Sequence, residues 1–170
     1  MKLDFLKQFI KQTRTDSLKT KDYPKEFLDL KMKVSFGQGA LARVPWVALR
    51  APDMPVSNGY NPVYLFYKKQ GILVLSYGIS ETHIPEKSWE PSIHETKTRI
   101  DEFIDNPARY GDSYVHKYYE PRIEGDEVNF YRDNVKVSEE LIFNELLEIV
   151  NFFKKCLDLE VKDESSSISS

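Results

Sequence analysis

The chain has 170 residues, 41% hydrophobic and 13% aromatic content, a formal net charge of −3 and a single cysteine. This is the size of one domain with apolar material for one core; no apolar run reaches the roughly 20 residues of a membrane span. The lone Cys156 excludes an internal disulfide and a cysteine-cluster metal site, which suits a reducing cytoplasm, and the charged N-terminus does not read as a signal peptide. The charge is unevenly spread. Residues 1–50 hold eleven Lys/Arg against five Asp/Glu, or +6, and the other 120 hold thirteen against twenty-two, or −9. An acidic protein with such asymmetry can still present a basic face.

In chain order, Leu3, Leu6, Phe9 and Ile10 recur at helical spacing, so residues 3–13 read as an amphipathic helix. A polar loop follows to Lys21. Leu30, Met32, Val34 and Phe36 alternate with Lys31, Lys33 and Ser35, the pattern of a half-buried strand with its lysines outward. Gly37-Gln38-Gly39 predicts a turn. Three apolar runs, Val44–Leu49, Val63–Tyr67 and Ile72–Tyr77, read as strands, the last two joined by a turn at Lys68-Lys69-Gln70-Gly71. The Pro-, Asn- and Gly-rich stretch Ala51–Pro62 reads as a surface loop. Residues 92–104 read as a short helix, and Tyr114–Tyr119 and Val128–Tyr131 as further strands. Ser138 followed by Glu139 and Glu140 is a helix start, and apolar spacing carries that helix to Leu157, with Cys156 on its core side.

The expected architecture is α+β, a mixed or antiparallel central sheet flanked by N- and C-terminal helices. Residues 1–160 form the domain, and 161–170, rich in serine, read as a disordered linker or tail.

Most enzymatic chemistry is missing from the sequence. There is no phosphate-cradling GxxxxGK[ST]. His83, His94 and His116 are neither paired nor close to cysteine, which argues against a metal site. Gly78-Ile79-Ser80-Glu81-Thr82 lacks the second glycine of a nucleophile elbow. Asp53, with Glu95-Thr96-Lys97, superficially matches a metal-dependent nuclease, but Glu95 and Lys97 fall in helical rather than strand periodicity. No catalytic residue, metal or cofactor is expected.

The distinctive segment runs from Ser35 to Thr82. On strands, Val44, Trp46 and Ala48 share one face, and Asn61, Val63, Leu65 and Tyr67 share another. Such rings beside small and branched residues are ordinary core material; they also suit a slot for a planar base taken out of its stack.

Several motifs occur here in order: Lys21-Asp22-Tyr23-Pro24, Ser35-Phe36-Gly37-x-Gly39, Pro45-Trp46, Ser57-Asn58-Gly59, Pro62-Val63, Leu73-Val74-Leu75-x-Tyr77-Gly78-Ile79-Ser80 and Tyr110-Gly111-x-Ser113-Tyr114. Together they resemble the N-terminal DNA-binding domain of the McrB family, the recognition subunits of modification-dependent restriction systems. The resemblance covers about two-thirds of the chain and fades after Tyr119. It implies binding of duplex DNA at a methylated cytosine, with that base flipped into an aromatic and aliphatic pocket. It also implies two partners beyond double-stranded DNA in a prokaryotic cytoplasm: a GTPase motor domain, fused or associated, and an McrC-like nuclease subunit.

By the same resemblance, Trp46, Leu65 and Tyr110 line the base pocket. Gln38 stands where a side chain fills the gap that the base leaves. The family's pocket tyrosine is replaced by Asn61, and Tyr60 is a candidate to swing into the vacancy. Lys19, Lys21, Lys31, Lys33, Arg43, Lys68 and Lys69 are candidates for phosphate contacts. The Asn61 substitution leaves methylcytosine, hydroxymethylcytosine and methyladenine open as the preferred base. A protein-interaction domain on the same scaffold, without DNA binding, is the competing reading.

Overall fold

One antiparallel meander organises the chain in the computed structural model, which describes residues 2–53, 59–81 and 89–157. Among these are four helices and eight strands: α1 (Asp4–Gln12), β1 (Glu26–Phe27), β2 (Leu30–Ser35), β3 (Trp46–Arg50), β4 (Tyr60–Tyr67), β5 (Ile72–Ile79), α2 (Pro91–Thr96), α3 (Ile100–Phe103), β6 (Tyr114–Glu124), β7 (Glu127–Arg132), β8 (Val135–Val137) and α4 (Glu139–Cys156). Each strand pairs antiparallel with its sequence neighbours, in the order β1 to β8. The fold is α+β, and the sheet is antiparallel. The serine-rich tail expected at 161–170 lies outside the described residues, as do His83, Ser57 and Asn58.

Period-two geometry gives the sheet two different faces. On one, Val34, Val47, Tyr60, Tyr64, Phe66, Leu73 and Tyr77 join the buried stripes of two helices: Phe5, Leu6, Phe9 and Ile10 of α1, and Ile142, Leu146, Ile149, Val150 and Phe153 of α4. Ser138 caps α4, its hydroxyl accepting the Leu141 N–H at 3.1 Å. A buried carboxylate ties this helix to the sheet. Glu145 receives both arms of Arg132 at 3.0 and 3.1 Å and the Tyr119 hydroxyl at 2.6 Å. Burial pushes the Glu145 carboxyl up, but these donors outweigh it and hold it below the ordinary carboxylate range.

The other face carries a smaller cluster in which Val44, Leu65, Tyr67 and Val74 pack under Ile100 of α3 and Ile104. α3 and the segment after it cover only part of this face. The uncovered part forms the cleft described below.

Two expectations need correction, and two short strands were not expected. Tyr60, Asn61 and Pro62, read as the end of a loop, are the first residues of β4. Pro62 lies just past the last β3–β4 pair, Ala48–Val63, where β4 has no β3 partner and a missing donor is tolerated. The helix expected over 92–104 is two helices. Residues 97–99 between them are drawn into extended backbone by β6, through the Arg99–Tyr114 bridge and the Val115 N–H to the Thr98 carbonyl at 2.8 Å. β1 and β8, of two and three residues, are too short for a periodic signal.

Candidate functional site

The sequence places Trp46 at the start of β3, and pairing sets it directly opposite Leu65 on β4. Asn61, Val63 and Leu65 alternate along the same face of β4. Opposite Asn61, β5 supplies Gly78. A Cβ at Gly78 would come within 2.6 Å of Val63 Cγ1 and 2.8 Å of the Asn61 carbonyl, so only glycine lets the two strands lie this close. These residues floor an open cleft of about 1100 Å³.

One wall of the cleft comes from Arg109, Tyr110 and Ser113, the other from Leu18, Thr20 and the β2–β3 connection with Gln38, Ala40 and Ala42. Trp46 and Tyr110 are partly exposed at the opening, whereas Leu65 is buried beneath them. The Trp46 indole lies close enough to the Tyr110 phenol to favour its ionised form, the smallest of the influences on that group. Burial, more than any neighbouring charge, raises the Tyr110 phenol above its usual pKa.

Tyr110 has a left-handed backbone, φ +65°, unusual for an aromatic residue. Glu81 holds it there. One carboxylate oxygen accepts the Tyr110 N–H at 2.7 Å, and the other accepts Arg109 Nε at 2.9 Å and Nη2 at 2.6 Å. The Arg109 guanidinium lies 4.7 Å from the Tyr110 ring centroid, and its carbonyl accepts the Tyr67 hydroxyl at 2.8 Å.

Asn61 is the anomaly of the floor. It is 6% exposed, and its amide nitrogen has no hydrogen-bond partner. A buried amide donor left unsatisfied is costly, of order 1–3 kcal/mol. Here it borders a cleft that a ligand acceptor can enter.

Not every candidate residue reaches the cleft. Trp46, Asn61, Leu65, Tyr110, Gln38 and Lys33 line it. Lys19 is exposed between the lining residues Leu18 and Thr20, Lys21 lies just beyond, and Arg43 is exposed beside Ala42. Lys31 is on the same strand face as Lys33 but is paired with Glu26 at 2.5 Å.

Tyr60 is a correction. One step along the strand from Asn61, it points to the opposite face and is sealed in the main core, 1% exposed, against Trp89 and Phe153. It does not fill the space that Asn61 leaves. Lys68 and Lys69 sit in the β4–β5 turn, beyond Tyr67 at the far end of β4 from Asn61, and do not line the cleft.

Sequence reading missed Arg50, Glu81 and Arg109. Arg50 was accessible in principle, since it continues the Trp46–Ala48 face by one further alternation and pairs opposite Lys31. Glu81 and Arg109, 28 residues apart, meet only through the fold. The rim thus carries Lys33, Arg50 and Arg109 against Asp53 and Glu81. Of the nuclease-like residues, Asp53 lines the cleft but Glu95 lies in α2 and does not. Among the described residues no group of three or more His, Cys, Asp or Glu is placed to hold a metal ion, and no helix is long and apolar enough to cross a membrane.

Fold and site together define a small α+β domain with a one-sided open cleft, built from two half-exposed aromatic rings, a floor of aliphatic side chains and one amide, and a rim of mixed charge. The chain belongs to the MrcB-like N-terminal domain family, whose model matches residues 2–157. It is 39% identical over 116 residues to the Type IV methyl-directed restriction enzyme EcoKMcrB subunit of Escherichia coli (strain K12), a match covering 68% of this chain and 25% of that protein. The chain therefore corresponds to about a quarter of that relative's length.

Proposed function

We propose that this domain binds duplex DNA at a modified cytosine, methyl- or hydroxymethylcytosine, and holds that base everted in the cleft. Trp46 and Tyr110 offer ring faces for stacking, worth about 1–3 kcal/mol per base. Leu65 offers apolar contact to a methyl group. Asn61 offers its amide to a base edge or to a hydroxyl on the modification.

Lys33 and Arg50, with Lys19, Lys21, Lys31 and Arg43, grip phosphates around the opening. These contacts position the protein without reading sequence. The observation that carries the reading is the pairing of half-open aromatic rings with a buried, unpartnered amide in one cleft. Kinship with a subunit of a methyl-directed restriction enzyme supports it.

In this reading the domain is the targeting part of a GTP-dependent restriction complex in the prokaryotic cytoplasm, where it serves in phage defence. Its partners are a GTPase motor domain and an McrC-like nuclease subunit, and the domain itself catalyses nothing. The test is equilibrium binding to short duplexes carrying one cytosine, methylcytosine, hydroxymethylcytosine or methyladenine. Tighter binding to a modified cytosine supports the proposal. Preference for methyladenine would reassign the base. Absence of binding to all four at low salt would leave a protein-interaction domain on this scaffold.

A further inference from the structure

The floor of the cleft has two ends. Trp46 stands opposite Leu65 at one end. Asn61, four residues earlier on β4, is at the other, about 13 Å away by strand rise. The cleft of about 1100 Å³ also exceeds the roughly 300–1,000 Å³ that holds a drug-sized ligand. One base with a methyl group is smaller than that and fills only the aromatic end.

The far end is polar. β5 runs between Asn61 and Ser113: Gly78 pairs opposite Asn61, and the next residue, Ile79, donates its N–H to Ser113 Oγ at 3.0 Å. Ser113 lines the cleft and is 2% exposed; its hydroxyl accepts that bond and donates to no described residue. Asn61 adds the amide nitrogen without a partner. Two buried donors therefore border this end of the cleft. Its rim is acidic. β3 ends at Arg50, past the Ala48–Val63 pair, and β5 ends at Ile79, so the lining residues Asp53 and Glu81 both follow strand ends on the Asn61 side. Carboxylates repel phosphates and do not serve a DNA backbone, but they accept hydrogen bonds from hydroxyl groups. Buried donors on the floor and carboxylate acceptors on the rim together suit a ligand rich in hydroxyls, which both accept and donate.

We propose that the cleft takes cytosine bearing a sugar on a 5-hydroxymethyl group, with the base at Trp46 and Leu65 and the sugar at Asn61, Ser113 and Asp53. This rests on the base-capture reading above. The oxygen that links such a sugar to the base accepts but cannot donate, which matches the Asn61 amide. The sugar hydroxyls accept from Ser113 and donate to Asp53. Plain methylcytosine offers neither buried donor an acceptor, so the sugar-bearing base binds more tightly.

The experiment measures binding of the 170-residue chain to duplexes that differ in one base. That base is cytosine, methylcytosine, hydroxymethylcytosine or glucosyl-hydroxymethylcytosine, the last in both α and β linkage. One of the two glucosylated duplexes is expected to bind about tenfold more tightly than the hydroxymethyl duplex, the scale of two modest hydrogen bonds. Asp53→Ala and Ser113→Ala should each reduce that advantage by about threefold, the scale of one such bond, and leave the preference for methylcytosine over cytosine in place. Ser113→Ala also frees the Ile79 N–H, so Asp53→Ala, on the exposed rim, is the variant that spares the fold.

If neither glucosylated duplex bound more tightly than the hydroxymethyl duplex, the proposal would be overturned, while a preference for methylcytosine over cytosine would leave base capture standing. A glucosyl advantage unchanged in both variants would also overturn it, because the sugar would then lie elsewhere. If no modified duplex bound better than cytosine, base capture itself would fall, and the sugar site with it.

Discussion

The Glu81 carboxylate accepts the backbone N–H of Tyr110 at 2.7 Å and so holds an aromatic residue in left-handed backbone at the mouth of the cleft. With Arg109 bound to the other carboxylate oxygen, Glu81 is a positioning residue, although its charge opposes DNA. Glu81→Ala should therefore split two affinities. Binding to a modified duplex is expected to fall about tenfold, the scale of a charge-assisted hydrogen bond. Binding to an unmodified duplex should hold or rise, because a negative charge leaves the rim. A parallel fall in both affinities would show that Glu81 supports the fold rather than the ring.

Trp46→Ala removes one stacking face. Affinity for the modified site is expected to drop by about tenfold or more, with affinity for unmodified duplex altered by less than about threefold. Fluorescence anisotropy with both duplexes checks this, and comparable losses for both would place Trp46 outside any base contact.

Asn61→Tyr exchanges the unpartnered amide for a ring and a hydroxyl. Preference is expected to move toward plain methylcytosine, measured as the ratio of affinities for methyl- and hydroxymethylcytosine. An unchanged ratio would mean that the amide does not read the base.

Lys33→Ala should weaken binding to modified and unmodified duplexes by a similar factor and reduce the slope of log affinity against log salt by about one. A change in base preference would place Lys33 in recognition rather than in phosphate contact.

Acid stability follows from two groups on the core side of the sheet. His116 donates Nε2–H to the Glu145 carbonyl at 3.0 Å and accepts the Tyr77 hydroxyl on Nδ1 at 3.2 Å, an arrangement of neutral imidazole. Burial lowers its pKa below 6.5, despite the Glu148 carboxylate at 3.2 Å. As pH falls through 6.5 the unfolded chain takes up a proton that the folded chain resists, so stability declines. Glu145, also lowered, adds a second decline as pH falls below about 4.5, where its unfolded form protonates first. Thermal unfolding between pH 8 and about pH 3 should thus show a falling midpoint. Glu145→Ala should cost roughly 3 kcal/mol at pH 8 by leaving Arg132 and the Tyr119 hydroxyl without their acceptor, and should remove the lower step.

What sequence alone determined is what local rules encode. Apolar spacing marked α1 and α4, alternation marked β2, apolar runs marked β3 to β5, and the Ser138 cap marked the start of α4. Alternation also assigned Trp46, Asn61 and Leu65 to strand faces, and resemblance joined Tyr110 to them. Which faces lie together was not legible, because Trp46 meets Leu65 only through strand register, and register is a long-range choice. Tyr60 illustrates the stake: one residue of phase takes it from the cleft into the core. The Glu81–Tyr110 tether and the close strand approach at Gly78 depend on backbone geometry that no short window of residues specifies. Tertiary structure alone decided these, since closing the meander brings distant segments into contact and leaves part of one sheet face uncovered.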